Sequence, residues 1–355
     1  MLQAGRERVP ARFPLGRGIV FLSIAITWLL TAAIAIGEDT VTVATGANRR
    51  GRSKQTGEVL EYSGDGLLLK TSRGRKTTID ADLVINIETT KSPLHRKGDL
   101  ALASRDYDGA ISHYNAAVLA KEEHRGWVQR MMLASLLRCY QATVRHDEAG
   151  RLFAQLVEAD PKTPYLDTIP LAWSTGQRAG DRQITTWMSS RQHAVRLLGA
   201  SYALSTPRRE LAIKVLEQLT ADENSTLRRL AQAQIWRTRI PQPNDDVDDW
   251  ESVIQQLPAS LQAGPYYVWG QALAVTGQHE RAALAQMRVR ILFDASPPLA
   301  AEAMLQAGKS LAALENFEDA SRVYAEIITD FPKTDAAAEA KQHIETLNSQ
   351  PKKPT

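Results

Sequence analysis

Hydrophobic and polar residues follow two different periods along the chain, and the change falls near Pro93. Between residues 54 and 90, short β-prone runs end in turns, and residues 83–88 show the period of two that is typical of a strand with one buried face. After Pro93, apolar residues recur every three to four positions, as in helices that bury one face. The pattern predicts a small antiparallel β module at residues 38–91, a mostly α-helical region at 92–347 and a disordered tail at 348–355.

Glycine-containing turns divide the β module into short runs. The predicted strands cover residues 58–62, 67–71 and 76–79, with turns at 63–66 and 72–75. The alternation that follows predicts that Leu83, Ile85 and Ile87 face inward. Three or four such strands form a meander that can curl into a small barrel. In strand rhythm and turn placement, residues 54–90 resemble the SH3-like and Sm-like small barrels.

The first 37 residues have the layout of an export signal. Four arginines and one glutamate precede an uncharged, mostly apolar run at residues 19–36, which ends in small residues such as Ala33, Ala35 and Gly37. As a helix, this run of 18 residues would extend about 27 Å, which is close to the thickness of a bilayer core. Residues 1–37 are therefore predicted to be a cleaved signal peptide or a retained N-terminal hydrophobic helix that anchors the chain. A buried core helix is a third alternative.

Charge supports the same interpretation. The formal net charge of +3 is carried entirely by the segment before Glu38, and the rest of the chain sums to zero. Either form of the N-terminal segment places the remainder outside the cytoplasm, in the periplasm or cell envelope. Membrane association through residues 19–36 is thus one expected contact of the protein.

The β module has a local basic excess, with 11 Lys and Arg against 8 Asp and Glu from Glu38 to Lys97. The basic clusters are Arg49, Arg50, Arg52 and Lys54 before the first predicted strand, and Arg73, Arg75 and Lys76 at a hairpin. They indicate a solvated linker at residues 47–55 and a charged hairpin that protects a sheet edge. Contact with lipid head groups or with nucleic acid is an alternative. Tyr62 is the only aromatic residue here, which argues against stacking on nucleic acid bases.

Small and aromatic residues recur at fixed spacing in the helical region. Gly98 is followed by Ala110 after twelve residues and by Tyr114 after sixteen. Ala320 and Tyr324 follow Gly308 at the same two intervals, and Ala282 follows Gly270 after twelve residues. A similar order of residue types recurs at Tyr140, Ala149, Phe153 and Pro161. Pro332 follows Tyr324 after eight residues, and the same interval separates Pro161 from Phe153. These residues resemble the tetratricopeptide repeat (TPR) family, whose units are helical hairpins that stack into a solenoid.

The resemblance implies a role for each residue type. A glycine in the first helix of a hairpin lets the second helix approach, an alanine gives that helix a matching small surface, and the aromatic residue fills the gap toward the next repeat. Proline ends the unit. The clearest repeats are at residues 92–162 and 264–347, and the middle of the chain is predicted to contain helix pairs of the same architecture. Residues 315–347 are similar to TPR units of bacterial cell-envelope proteins.

Candidate catalytic chemistry is sparse. The sequence has no Gly-rich phosphate loop ending in Lys-Ser or Lys-Thr, no Gly-x-Ser-x-Gly elbow and no His-Glu-x-x-His helix. The seven histidines lack metal-ligand spacing, and the single cysteine, Cys139, is predicted to be a small core residue. We therefore expect no enzymatic activity, no catalytic or metal-binding residues and no cofactor.

The expected function is a protein–protein interaction scaffold that binds a peptide or partner protein in the groove of its repeats. TPR proteins that hold a C-terminal carboxylate use Lys and Asn on the first helices. The corresponding stretches here contain Arg130, Arg138, Gln271 and Lys309, which are the candidate groove residues and include no repeated Lys/Asn pair. The alternatives are a surface-binding role of the basic β module and an accessory subunit of an envelope enzyme complex.

Overall fold

The computed structural model describes residues 38–46, 48–239, 247–293 and 296–349. The predicted signal peptide or membrane helix at residues 1–37 lies outside this range, as do residues 350–355 of the predicted tail. Among the described helices, none combines the length and the apolar character that crossing a membrane requires.

Five strands form an antiparallel sheet in the order β4-β3-β2-β1-β5. They are β1 (Asp39–Thr45), β2 (Gly51–Ser63), β3 (Gly66–Lys70), β4 (Lys76–Ile79) and β5 (Val84–Glu88). The first half of β2 pairs with β1, a strand that the pattern did not predict, and the second half pairs with β3. The prediction of a solvated linker at residues 47–55 is therefore wrong from Gly51 onward. β4 and β5 lie at opposite ends of the strand order.

A β-bulge explains the one inward-facing position that was predicted wrongly. Thr42 pairs with Asn86 and the next residue, Val43, pairs with Val84, so Ile85 is an extra residue without a partner on β1. Ile85 is 47% exposed, whereas Ile87 is buried. The alternation of apolar and polar residues does not reveal a bulge, and one extra residue moves side chains to the opposite face of the sheet.

Fourteen α-helices follow in the described residues. Their bounds are α1 (Pro93–Ala103), α2 (Tyr107–Ala120), α3 (Gly126–Ala142), α4 (His146–Ala159), α5 (Asp181–Met188), α6 (His193–Ala203), α7 (Arg209–Leu219), α8 (Ser225–Arg239), α9 (Trp250–Gln255), α10 (Ala263–Val275), α11 (His279–Ile291), α12 (Pro297–Ala313), α13 (Phe317–Asp330) and α14 (Asp335–Ser349). Residues 348 and 349, predicted as tail, thus belong to α14.

Local chemistry explains several helix starts. The Ser92 hydroxyl accepts a hydrogen bond from the backbone N–H of His95 and caps α1, whose first residue is Pro93. The carboxylate of Asp106 accepts from the N–H of Gly109 at 3.0 Å and caps α2. Asn316 caps α13 in the same way. These side chains satisfy N–H groups that have no partner within the helix.

The sheet is packed against the helices and shares a core with them. The indole Nε1 of Trp127, at the start of α3, donates a hydrogen bond to the carbonyl of Val59 at 3.1 Å. The guanidinium of Arg130 donates to the Tyr62 carbonyl at 2.7 Å and to the Glu61 carboxylate. Beyond α4, the Asp160 carboxylate accepts from the N–H of Gly64 at 2.8 Å. The β module is therefore fixed to α3 and to the end of α4.

Residues 160–180 depart from the predicted helix pairs of the middle region. Between α4 and α5 the chain contains only a short 3₁₀ turn at Leu166–Thr168. Yet Ile169, Leu171, Ala172 and Trp173 are all buried. An extended stretch thus contributes to the core of the helical region.

Candidate functional site

Three helical hairpins contain the same close contact between a glycine in the first helix and a side chain sixteen residues later. The pairs are Gly98 with Tyr114, Gly270 with Gln286 and Gly308 with Tyr324. A Cβ atom at Gly98 would lie 2.5 Å from the Tyr114 ring, and one at Gly270 would lie 2.6 Å from the Gln286 side chain. Ala110, Ala282 and Ala320 are fully buried on the second helices. Only a residue without a side chain fits at the three glycine positions.

The aromatic residues first fill a gap inside their own hairpin. The ring of Tyr324 lies against Gly308 of the same hairpin, and it also stacks on His343 of α14 with centroids 5.1 Å apart. The Tyr324 ring thus contacts the following helix, as the repeat pattern predicts, and it also packs inside its own hairpin. The contact inside the hairpin is the one that the glycine permits.

The hairpin of α3 and α4 has no glycine at the corresponding position. Ala149 and Phe153 are fully buried there, and the Tyr140 hydroxyl lies 3.4 Å from the Asn115 amide nitrogen of α2. Pro161 follows the end of α4, and Pro332 follows the end of α13. Both prolines thus lie where a helix has just ended.

Residues 166–177, here called the inner segment, are bound by the first helices of several hairpins. The Gln141 amide of α3 donates to the Thr168 carbonyl at 2.8 Å, and the Ala172 N–H donates to the Ser201 hydroxyl of α6 at 3.0 Å. The Gln234 amide of α8 donates to the Ala172 carbonyl at 3.0 Å. The Trp173 indole occupies the space beside Gly264 of α10. The inner segment thus contacts α3, α6, α8 and α10, as a bound peptide would.

A partly buried arginine, Arg237, holds the inner segment in place. The Arg237 guanidinium of α8 donates to the carbonyls of Ala172 at 2.8 Å and Ser201 at 2.9 Å and to the Gln234 side chain at 2.6 Å. All three acceptors are neutral, and the described residues place no carboxylate within ion-pair distance of Arg237. Burial lowers the pKa of Arg237 to about 10, so the group remains charged at neutral pH.

A cavity of about 510 Å³, here called the inner cavity, lies beside the inner segment. Its walls come from the ends of α1 and α3, the starts of α4, α10 and α12, a tyrosine of α6 and the inner segment itself. The two stretches with the clearest predicted repeats therefore face the same space. Apolar lining residues include Leu102, Leu171, Trp173, Leu261 and Leu299.

Two polar atoms of the cavity wall have no hydrogen-bond partner among the described residues. They are the Nε2 atom of His146 and the hydroxyl of Tyr202, whose rings lie 5.7 Å apart. His146 is 8% exposed and Tyr202 is 2% exposed. Burial lowers the pKa of His146 and raises that of Tyr202, so both side chains are neutral at pH 7. Buried polar groups without a partner are uncommon and call for an explanation.

The four candidate groove residues have different surroundings. Arg130 is engaged with Glu61 and Tyr62 of β2 and therefore braces the sheet, and Arg138 lines the inner cavity and donates to Asp167 at 3.2 Å. The Gln271 amide donates to the Tyr267 hydroxyl at 2.8 Å. The Lys309 ammonium pairs with Glu339 of α14 at 2.6 Å, and this contact lowers the pKa of the Glu339 carboxyl.

The basic residues of the β module are partly neutralised. Arg49 pairs with Asp82 at 2.7 Å, and the Lys54 ammonium lies 3.8 Å from Glu88. The other members of the two clusters are exposed on β2, on β4 and in the turns: Arg50, Arg52, Arg73, Arg75 and Lys76. Contact of this surface with anionic lipid or nucleic acid stays a prediction.

One histidine–aspartate pair has the geometry of an acid–base dyad. His193 Nδ1 lies 2.6 Å from the buried carboxylate of Asp222, at the edge of a cavity of about 740 Å³. Asp222 also accepts from the N–H of Asn224, just before α8, so the pair joins the start of α6 to that turn. Among the described residues, no group of three or more His, Cys, Asp and Glu side chains could hold a metal ion. Cys139 is a free, buried thiol, and burial raises its pKa to about 11.

Few local features of the sequence indicate the inner segment or the role of Arg237. The interval from residue 161 to 180 contains three prolines and two glycines, Pro161, Pro164, Pro170, Gly176 and Gly180, which indicate a break in helical structure. Its buried position depends on contacts with helices far away in the chain, and a local pattern does not report such contacts.

Residues 302–334, which cover most of α12 and α13, match a family model described as tetratricopeptide repeat. The matched stretch includes the Gly308–Tyr324 contact and ends just after Pro332. A comparison with curated proteins finds no match.

Proposed function

We infer from the tetratricopeptide repeat match at residues 302–334 that the chain belongs to this family and is a non-enzymatic scaffold for protein–protein interaction in the cell envelope. Stacked helical hairpins of this kind present extended surfaces to partner proteins. The observation that carries the proposal is the matched hairpin itself, with its glycine–tyrosine contact.

The first helices α10, α12 and α14 offer the surface best suited to a partner. We define the C-terminal stripe as Gln271, Glu302, Lys309 and Glu339. Glu302 accepts a hydrogen bond from the Tyr267 hydroxyl at 2.7 Å, and Gln271 donates to the same hydroxyl. Glu302 and Lys309 are seven residues apart and thus share one face of α12.

Exposure distinguishes the C-terminal stripe from the surface near α3 to α10. The side chains of Lys309 and Glu339 are 35% and 46% exposed, so a partner can reach both charges. Between α3 and α10, by contrast, the inner segment already covers the first helices. We therefore place the partner on the C-terminal stripe, where an extended segment with hydrogen-bonding side chains can replace the Lys309–Glu339 pair.

Affinity capture with chemical crosslinking tests this proposal. The full chain serves as bait in an envelope extract, in three forms: wild type, Lys309→Glu and the control Arg322→Glu. Arg322 lies on α13, away from the C-terminal stripe, and its side chain is 68% exposed. We expect one partner protein to be recovered by wild type and by the control, and at least tenfold less of it by Lys309→Glu, because the reversed charge repels Glu339 and the partner's acceptors.

Two outcomes contradict the proposal. In the first, both variants recover the same protein equally. In the second, recovery depends only on residues 38–90 or disappears after nuclease treatment, which would assign binding to the basic surface of the β module. Thermal unfolding of each variant checks that the fold is retained.

The envelope location rests on the residues of the N-terminal segment. We propose that residues 1–37 direct export and are either removed or retained as an anchor. Intact mass measurement of the protein from its native membrane and soluble fractions separates the two. A chain that begins at Ile36 or Glu38 indicates cleavage, a full-length chain in the membrane fraction indicates an anchor, and a full-length chain in the cytosol contradicts export.

A further inference from the structure

We propose that the inner cavity binds a compact organic anion, in which a carboxylate is attached to an apolar body. This site lies apart from the C-terminal stripe and is independent of the partner proposed for it. Size is the first argument. A volume of about 510 Å³ is within the range of small-molecule sites, and the inner segment already occupies the course that an extended peptide would take.

The unpartnered polar atoms of the wall indicate a ligand with acceptor oxygens. Neither atom is exposed to solvent. After a small rotation of the two side chains toward the cavity, one carboxylate oxygen can accept from the Tyr202 hydroxyl, and the other can accept from the N–H of neutral His146 when its proton is on Nε2. Leaving such groups unsatisfied in a buried position is costly, so a ligand that supplies both acceptors gains affinity.

Charge around the inner cavity favours an anion. Arg105 and Arg138 contribute two cations to the lining, and Asp167 is the only carboxylate among the described lining residues. Asp167 already pairs with Arg138. Arg237 adds a positive charge behind the wall, because it binds the carbonyls of Ala172 and Ser201, which adjoin lining residues. A partly buried cation with no carboxylate partner among the described residues is stabilised by an anion nearby.

The remaining lining distinguishes an organic anion from an inorganic one. The leucines of α1, the inner segment, α12 and the turn before α10, together with the Trp173 indole, form an apolar surface beside the polar atoms. Phosphate or sulfate would leave this surface in contact with water. A hydrocarbon or aromatic body would cover it and gain the hydrophobic contribution.

Calorimetric titration of the full chain in mild detergent tests the proposal. The probes are naphthalene-2-carboxylate, its uncharged analogue naphthalene-2-carboxamide, and sodium sulfate. We expect saturable binding of the carboxylate, at least tenfold weaker binding of the carboxamide and no saturable binding of sulfate. Quenching of tryptophan fluorescence provides a second readout, since Trp173 lines the cavity.

Matched substitutions locate the binding. Tyr202→Phe removes a hydroxyl of the cavity wall and should weaken carboxylate binding about fivefold, the effect of one hydrogen bond. Tyr324→Phe is the control, because it also removes a buried, unpartnered hydroxyl but lies outside the cavity lining. Arg138→Gln should weaken binding, whereas Arg322→Gln on α13 should not.

The proposal is overturned if the carboxylate does not bind at millimolar concentration, or if the carboxamide or sulfate binds equally well. It is also overturned if Tyr202→Phe and Tyr324→Phe have the same affinity as wild type. Since partner capture is measured separately with Lys309→Glu, failure of the cavity proposal leaves the scaffold proposal intact, and the reverse also holds.

Discussion

The hairpins α1–α2 and α12–α13 share one glycine–tyrosine contact but differ in the polar groups around it. Both place a tyrosine ring against a glycine sixteen residues earlier, and both tyrosine rings are fully buried. The two tyrosine hydroxyls differ in their hydrogen bonding. Tyr114 donates to Asp99 at 2.8 Å, whereas the described residues provide no partner for the hydroxyl of Tyr324.

Two neighbouring positions account for this difference. The residue directly after the glycine is Asp99 in α1 and Lys309 in α12. The residue three positions before the glycine is His95 in α1 and Leu305 in α12. Asp99 also pairs with Lys91 at 2.6 Å. His95 is fully buried, its Nε2 atom lies 3.6 Å from the Asp99 carboxylate, and the described residues provide no hydrogen-bond partner for either ring nitrogen. The glycine and tyrosine thus determine the contact between the helices, while the adjacent positions determine whether a polar network surrounds it.

The largest expected effect concerns pH. Burial lowers the pKa of His95 to about 4 from an ordinary value near 6.5. The unfolded chain therefore binds more protons than the folded chain between these two pH values, and the stabilisation present above pH 6.5 is lost as the pH falls toward 4. The groups around His95 are Lys91, Asp99, Glu123 and Arg125.

His95→Leu makes the first hairpin resemble the second and should remove this dependence. Between pH 6.5 and 4, the free energy of unfolding measured with urea should decrease by about 3 kcal/mol more in wild type than in the variant. Leu305→Val, a conservative change in the other hairpin, is the control and should keep the wild-type slope. Equal slopes for wild type and His95→Leu would show that folding does not shift the pKa of His95.

The next effect tests the shared contact. Gly98→Ala and Gly308→Ala each place a methyl group into a tyrosine ring, and each should lower the free energy of unfolding by about 2 kcal/mol. Gly126→Ala, at the start of α3, is the matched control because the nearest atom to an added Cβ is 3.5 Å away in a flexible arginine. It should be neutral or slightly stabilising, since alanine favours helix. A loss for all three variants in urea denaturation would trace the effect to the backbone instead of the ring.

A smaller effect separates the two tyrosines. Tyr114→Phe removes a donor to a carboxylate and should cost about 1.5 kcal/mol, whereas Tyr324→Phe removes an unpartnered hydroxyl and should cost almost nothing. Chemical denaturation at pH 7 measures both. Equal costs would imply that the Tyr324 hydroxyl has a bound water or another partner.

The hairpin positions are the part of the fold that local sequence can reveal. Gly98 and Gly308 have few alternatives, because any side chain would overlap the ring that follows sixteen residues later. The spacing therefore appears in the sequence without knowledge of the rest of the chain. The family model reaches only residues 302–334, although Gly98 and Tyr114 make the same contact in α1–α2.

The inner segment and the packing of the sheet could not be predicted in this way. Ala172 is held by Ser201, Gln234 and Arg237, residues 29 to 65 positions away, and each has other common roles in a helix. The same is true of Arg130, which was predicted to line a groove and instead contacts β2. Partners far apart in the chain leave no periodic signal, so the candidate cavity emerged only from the tertiary structure.

The smallest expected effect concerns the two ion pairs beside the glycines. Lys309–Glu339 is half exposed, and replacing Lys309 with Met should lower the free energy of unfolding by about 0.5 kcal/mol or less, because water and salt screen such pairs. Lys91→Met should cost more, since Lys91–Asp99 is less exposed and Asp99 also accepts from Tyr114. Urea denaturation at low and high salt measures both. A cost above about 1 kcal/mol for Lys309→Met would mean that the C-terminal stripe supports the fold, and loss of partner binding by Lys309 variants could then no longer be read as loss of contact.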